Sequence, residues 1–233
     1  MERHVARGEM LLGIDTCGPS GSVALGRLIA EGLVEILGQK ELASRSYSAT
    51  LVAAVGELLS GYEVRLSEMA AIVAVNGPGS FTGVRVGLSA AKGLAEVSRT
   101  PVVAVSRLEV LAWKAGIGSA ALDAHRHQVF LRLRAAEMWT RELLAAAEEL
   151  QAIQPPPEEI AISDDAEGLL HEAWPGSALR RVAAPSAADA LQLCAARISE
   201  GEFVDQALLD GHYLRRSDAE IFADPETARR AAR

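Results

Sequence analysis

Three places in the chain hold residue types that can act on a charged ligand. Asp15 and Thr16 close an apolar run, Met10 to Ile14, and a turn cluster, Cys17-Gly18-Pro19-Ser20-Gly21, follows them. An acid beside a hydroxyl at a strand end can hold a metal and nucleotide phosphates, as phosphotransferases do. The same aspartate can equally serve as a turn former in a hairpin. The second place is Asn76-Gly77-Pro78-Gly79-Ser80-Phe81-Thr82-Gly83-Val84-Arg85-Val86-Gly87. Gly77 and Gly79 allow close backbone approach, and a helix starting after them aims free N–H groups at whatever lies above. The segment therefore marks either an anion site or a place where two backbones touch. The third place is His125-Arg126-His127. On a strand the two imidazoles share one face and can ligate a metal, but no third ligand lies close in sequence, so an exposed polar face is expected.

The glycine loop lacks the G-x-x-x-x-G-K-[ST] pattern, and no lysine lies near it to reach a phosphate. Phosphate binding there would rest on backbone amides alone. The helix after the loop carries a stripe of small residues, Gly83, Gly87, Ala91 and Ala95, spaced by four and so on one face. A glycine inside a helix costs about 1 kcal/mol relative to alanine, and close backbone approach can offset that. Ser48, Val52, Gly56 and Ser60 form a similar stripe on the preceding helix. Two uses are open for these stripes: tight packing on the chain's own sheet, or an interface with another subunit.

The elements that must position these residues follow from periodicity. Met10–Thr16 reads as a buried strand, Ser22–Gly26 as its hairpin partner, and Leu33–Leu42 as a third strand. Leu51, Val52, Val55, Leu58 and Leu59 share a helical face, which predicts a helix over Ser46–Ser60 with Ser48 as N-cap. A buried strand at Met69–Val75, a helix over Ser80–Ser98, a strand at Pro101–Val105 and a helix capped by Ser106 and ending near Ala115 complete the first half. The order β-β-β-α-β-α-β-α gives an α/β class with a mixed sheet and helices against it. Gly116 and Gly118 mark a boundary. Strands at Ser119–Ala124, Gln128–Arg134, Glu137–Leu143 and Glu159–Ser163 follow, then a helix Ala187–Ser199 capped by Ser186. The expected organisation is a start of no regular structure over residues 1–9, a first lobe over 10–115, a smaller second lobe over 116–221 that echoes the first, and a frayed tail over 222–233.

Composition narrows the function. The chain has 233 residues, 49% hydrophobic, with mean hydropathy +0.14 and few aromatics. That is enough for a large domain or two lobes with Ala/Leu/Val cores. A formal net charge of −8 argues against holding RNA or DNA alone, because phosphate binding needs a basic surface. Cys17 and Cys194 are too far apart in sequence to read as a disulfide framework or a zinc site. Met1 to Glu9 lacks the apolar core of a signal peptide, and no apolar run reaches the roughly 20 residues of a membrane span. A soluble cytoplasmic protein is expected.

The Leu12–Thr16 strand, Ser22–Leu25, the Gly77–Gly87 run, Ala91-Lys92-Gly93-Leu94-Ala95 and Tyr213-Leu214-Arg215-Arg216 resemble the TsaB (YeaZ) family. The likeness is close in the first half, resumes near the C-terminus, and holds only in outline over Phe130–Asp210. The resemblance implies an actin-like, RNase H-like ATPase fold of two lobes. It implies a role in making N6-threonylcarbamoyladenosine at position 37 of tRNAs that read ANN codons. It also implies a non-catalytic subunit that pairs with a larger catalytic paralogue, TsaD, to which the ATPase TsaE is joined, while TsaC makes the activated threonylcarbamoyl-adenylate. The paralogue's metal is held by a His-x-x-x-His pair after the strand that follows the glycine-loop helix. In this chain Arg107 and Leu111 stand at those positions, and neither side chain can ligate a metal. The family's two first-lobe helices form both the homodimer face and the face toward the paralogue.

A pseudoenzyme scaffold is the expectation, with Ser48, Val52, Gly56, Gly83, Gly87, Ala91 and Ala95 at the partner interface. Asp15, Thr16, Gly77 and Gly79 are then a vestigial nucleotide site, no metal is held, and ATP or ADP binds only at the partner interface. A TsaD-type paralogue, a TsaE-type ATPase and a second copy of the chain are the expected partners, with tRNA reached only indirectly. The alternative is a stand-alone actin-like phosphotransferase using Asp15 and the glycine loop. A peptidase is disfavoured because no nucleophile motif is present.

Overall fold

A computed structural model of the chain describes residues 8–43, 46–135 and 139–215. The expected irregular start and frayed tail lie largely or wholly outside these residues.

Three strands open the chain: β1 (Met10–Asp15), β2 (Ser20–Ala30) and β3 (Leu33–Ala43). Then come α1 (Tyr47–Gly61), a single 3-10 turn at Leu66–Glu68, β4 (Met69–Val75), α2 (Phe81–Ser98), β5 (Val102–Val105) and α3 (Arg107–Ala115). The first sheet has the order β3-β2-β1-β4-β5, antiparallel across β1–β3 and parallel from β1 through β4 to β5. All seven residues of β4 are buried, as expected for a strand covered on both faces. Gly13 faces α6 (Ala187–Leu193) while its neighbour Ile14 faces α2, so helices lie on opposite sides of the sheet.

The second half repeats this order. β6 (Ala120–Asp123), β7 (Gln128–Ala135) and β8 (Trp139–Ala146) pair antiparallel, and β9 (Glu159–Ile162) and β10 (Ala178–Arg181) add in parallel beyond β6. The sheet order β10-β9-β6-β7-β8 is the first order read backwards. Helices α4 (Ala147–Ala152), α5 (Glu167–Ala173) and α6 occupy the places of α1, α2 and α3. The echo expected between the halves is thus present in full topology. The third helix of each half crosses over: α3 packs on the second sheet and α6 on the first.

Alternation separates the layers of the second half. Ala121, Val129 and Leu131 face Leu150, Leu170 and Trp174, whereas Ala120, Leu122 and Phe130 face Leu108 and Leu111 of α3. Ala187, Ala190, Leu191, Ile198 and Leu209 belong to the core of the first sheet. The lobe boundary therefore needs correction. Residues assigned by sequence to a second lobe over 116–221 return to the first sheet, and Val204 bridges Val102 at its edge. Burial of the apolar face of α6 against β1 and β2 outweighs proximity in sequence.

Several local expectations change. α1 begins at Tyr47 with Ser46 at the N-cap, so Ser48 is not the cap but an exposed first-turn residue. Tyr47 is buried and its hydroxyl donates to Gly18 O at 2.9 Å, pinning the helix start to the turn after β1. His125, Arg126 and His127 are not in a strand. All three have φ between 55° and 58° and form the turn between β6 and β7. The expected helix Ala187–Ser199 is interrupted at Cys194, whose amide is shared between Ala190 O and Gln192 O, and resumes as α7 (Ala195–Glu200). Ser80, Ser106 and Ser186 do cap α2, α3 and α6 through their hydroxyls.

Candidate functional site

The glycine loop is built for backbone contact. Ser80 N donates to Cys17 O at 2.8 Å, and a Cβ on Gly79 would lie 2.1 Å from that oxygen. Gly77 has φ +113°, and its carbonyl accepts from Arg107 N at 2.6 Å. A Cβ on Gly83 would lie 2.0 Å from Thr16 O, and one on Gly87 2.3 Å from Thr16 Oγ1. Thr16 Oγ1 in turn donates to Gly83 O at 2.7 Å. Of the two uses open to this loop, these glycines serve close packing.

That geometry divides the expected partner interface. Gly83, Gly87, Ala91 and Ala95 are buried against the chain's own first sheet, which corrects their assignment to a partner face. Ser48, Val52 and Gly56 lie on the outer face of α1, with Val52 60% exposed and no atom within 4 Å of a Cβ on Gly56. Leu51, Ala54, Val55 and Leu58 take the inner face. Along Ser48, Val52 and Gly56 the outer face therefore carries small, partly apolar residues.

The expected ligand-facing role of Asp15 and Thr16 is corrected too. Both are 1% exposed. Asp15 Oδ1 accepts from Cys17 N at 2.8 Å, and Oδ2 lies 3.5 Å from Arg107 Nε. Arg107 is itself 4% exposed, so this is a buried ion pair beneath the glycine loop. Burial, then the Asp15 charge, pushes the Cys17 thiol well above the usual range. Of the four expected nucleotide residues only Gly79 lines an open space.

That space is a cleft of about 850 Å³ between the two sheets' ends. Its walls are the glycine loop and Phe81, Val84 and Arg85 of α2, the β6–β7 turn, Asp164, and the segment His212–Arg215, with Arg107 also lining it. Arg85 stacks on Phe81, with Cζ 3.9 Å from the ring centroid, and Phe81 meets Tyr213 at 4.7 Å between centroids. Burial raises the Asp164 carboxyl, although it accepts bonds from the amides of Asp123 and Ala166.

A polar network ties the halves together below this cleft. Glu142 on β8 accepts from Ser106 Oγ at 2.6 Å, Arg132 Nη1 at 2.6 Å and His212 Nε2 at 2.9 Å. Burial favours protonation of Glu142, but these bonds outweigh it and hold the carboxyl below the usual range. Glu109 of α3 bonds Arg197 of α7. Sequence reading placed none of Phe81, Glu142, His212 and Tyr213 in a site. The i, i+4 spacing of Phe81 and Arg85 on α2 was a readable signal. Tyr213 and His212 join from over 120 residues away with no local sign. Among the described residues no group of three or more His, Cys, Asp or Glu is arranged to hold a metal ion, and His125 pairs with Asp123 at 2.8 Å.

Comparison with known proteins bears on this geometry. Residues 35–155 match the family model described as TsaD, tRNA N6-adenosine threonylcarbamoyltransferase. The tRNA threonylcarbamoyladenosine biosynthesis protein TsaB of Bacillus subtilis is 35% identical over 130 residues, 53% of this chain and 54% of that protein. TsaB of Escherichia coli is 28% identical over 226 residues, covering 90% of this chain and 96% of that protein. A crystal structure from Pseudomonas aeruginosa, of a protein described as similar to the peptidase YeaZ, superposes with TM-score 0.72 at 30% identity. That superposition covers 89% of this chain and 100% of the other. The match thus spans about half the length of the Bacillus protein and nearly all of the other two.

Proposed function

The chain belongs to the TsaB (YeaZ) family, and from that premise we propose that it is a non-catalytic subunit that supports a TsaD-type transferase in forming N6-threonylcarbamoyladenosine at position 37 of tRNAs reading ANN codons. The observation that carries the reading is the outer face of α1. Ser48, Val52 and Gly56 present small side chains to solvent, and Val52 is 60% exposed. Such a face lets a second helix approach at the low end of the usual 8–10 Å separation. The α2 stripe supports it from below by locking α2 onto the sheet beside α1.

Absence of transferase chemistry is the second half of the proposal. Arg107 and Leu111 stand where the paralogue's metal-binding histidines would be. The Arg107 guanidinium offers no lone pair, and Leu111 is fully buried, so this position does not fit the metal. Asp15, the acid of the alternative phosphotransferase reading, is held by Arg107 rather than free for a phosphate-bound cation. ATP or ADP then binds only where the partner completes a site. A TsaE-type ATPase joins the pair, and tRNA is held by the assembly rather than by this acidic chain. Among the described residues no helix is long and apolar enough to cross a membrane, which suits work on tRNA in the cytoplasm.

Light scattering on a sizing column tests the proposal, with this chain alone and mixed with the TsaD-type protein of the same genome. A 1:1 species is expected, lost on Val52→Arg or Gly56→Arg while stability stays within about 0.5 kcal/mol. A substitution at Gly87 would not serve, since it reports on folding. No complex, with or without ATP and the TsaE-type protein, would overturn the reading. ATP turnover by the purified chain alone would favour the phosphotransferase.

A further inference from the structure

The turn that joins β6 to β7 is held against its own preference. His125, Arg126 and His127 have φ of 58°, 55° and 56°, three consecutive side-chain-bearing residues in the left-handed region. There each Cβ crowds the carbonyl oxygen that follows it. Such a run persists only where its surroundings fix it. Within the turn, Ala124 N donates to Gln128 O at 3.0 Å, Gln128 N to His125 O at 3.1 Å, and His125 N to Asp123 Oδ1 at 2.8 Å. Further hold comes from Arg215, far along the chain. Its Nη2 donates to Ala124 O at 2.7 Å and to Gln128 Oε1 at 2.8 Å, and lies 3.5 Å from His125 O. One guanidinium thus grips both ends of the left-handed run.

Arg215 ends a strap that starts in the first half. Leu209 is buried in the core of the first sheet. His212 N donates to Asn76 O at 2.7 Å, just before the glycine loop, and the Tyr213 ring meets Phe81 at the start of α2. His212 Nε2 then reaches Glu142, and Leu214 packs on the cluster that holds Phe130, both in the second half. The strap therefore runs from one wall of the cleft to the other. Its hold is weaker than that of the sheets on either side. Residues 209–215 contain no helix or strand, and the His212 side chain and Tyr213 are each 38% exposed. A segment fixed by a few half-exposed polar and ring contacts opens well before the core does.

We propose that residues 212–215 form a latch that gives the rim of the cleft two settings. With Arg215 seated, the His125–His127 turn is kept left-handed. With Arg215 released, the turn relaxes toward ordinary backbone angles and the rim it forms changes shape. Because the same strap is anchored on Asn76 and Phe81, a disturbance at the start of α2 is passed to the turn on the opposite wall. The coupling rests on a physical chain of contacts that ends in an element with two arrangements.

NMR on the full chain tests this, with amide hydrogen exchange and the couplings and carbon shifts that report φ at residues 125–127. The wild type should show positive φ at all three. Arg215→Met keeps the stem beside Phe130 and removes the donors. It should move those signals away from left-handed values and speed exchange at the Gln128 amide at least about tenfold, the effect of losing charge-assisted bonds. Phe81→Ala, which alters only the far end of the strap, should speed exchange at Gln128 to a smaller degree. Amides of β4 should keep their rates in both variants. Should Arg215→Met not fold, Gly211→Ala takes its place, since a Cβ there would lie 2.4 Å from the Tyr213 ring and displace the strap. Left-handed values that survive loss of the latch, exchange at Gln128 indifferent to Phe81→Ala, or equal acceleration in β4 would overturn the proposal.

Discussion

Gly83→Ala and Gly93→Ala place the same methyl group in the same helix, yet the structure gives them opposite signs. Helix propensity alone favours both by about 1 kcal/mol. At Gly93 a Cβ meets nothing within 4 Å, so that gain should be realised. At Gly83 the Cβ would lie 2.0 Å from Thr16 O and 3.2 Å from its carbonyl carbon. The obstacle is backbone at the end of a central strand, not the tip of a flexible side chain. Overpacking of this kind costs roughly 1–3 kcal/mol. Separating the two segments also weakens the 2.7 Å bond from Thr16 Oγ1 to Gly83 O, at about 1 kcal/mol. After the propensity gain, the net loss at Gly83 is about 1–3 kcal/mol. The two variants should thus differ by roughly 2–4 kcal/mol in urea unfolding with unchanged m. Equal stability of Gly83→Ala and wild type, or a gain, would refute the claim that these small residues exist for contact between α2 and the end of β1.

Three further outcomes are expected. Arg107→Met alone should cost about 3–5 kcal/mol by leaving Asp15 buried without its partner, and adding Asp15→Asn should recover part of that; a double-mutant cycle in urea with strictly additive losses would contradict the pairing. Glu142 has a folded pKa below its unfolded value, so its contribution to stability is present above the ordinary glutamate pKa of 4.5 and fades as pH falls through the lower folded value; a Glu142→Gln chain should show a flatter acid limb in pH-dependent unfolding, and an identical limb would count against the network. Cys194 is pushed up to about 12 by burial and Cys17 is also raised, so neither thiol should react with a disulfide reagent at pH 8 until the chain unfolds in urea; fast labelling of the native protein would contradict their burial.

Local signals made most of the first half readable. Strand β4 is seven apolar residues between polar flanks, and its bounds were legible because a strand covered on both faces has no polar side to blur it. Ser80 and Ser106 were legible as caps because a hydroxyl before a periodic apolar segment has one dominant local use. β10 and α5 were missed. β10 is a four-residue edge strand with no buried residue, and α5 spans only seven residues, so neither leaves a period to read. The β6–β7 turn was mistaken for strand because alternation in His125-Arg126-His127 mimics the two-residue period, while their positive φ values leave no mark in the sequence.

The sequence by itself determined the α/β order of elements and the presence of two small-residue stripes, because periodicity is written locally along the chain, and the motif over Gly77–Gly87 carried the resemblance to the family. Which stripe faces inward was a tertiary decision. Both read alike as spacing-of-four patterns, and only the approach of Thr16 to Gly83 and Gly87 turned one of them to the core. The cleft was likewise invisible in the sequence, since Arg107, Phe81, Asp164 and Tyr213 meet only after α3 and α6 exchange sheets. Burial free energy depends on what surrounds a residue in space, and that neighbourhood is assembled from segments that share no local pattern.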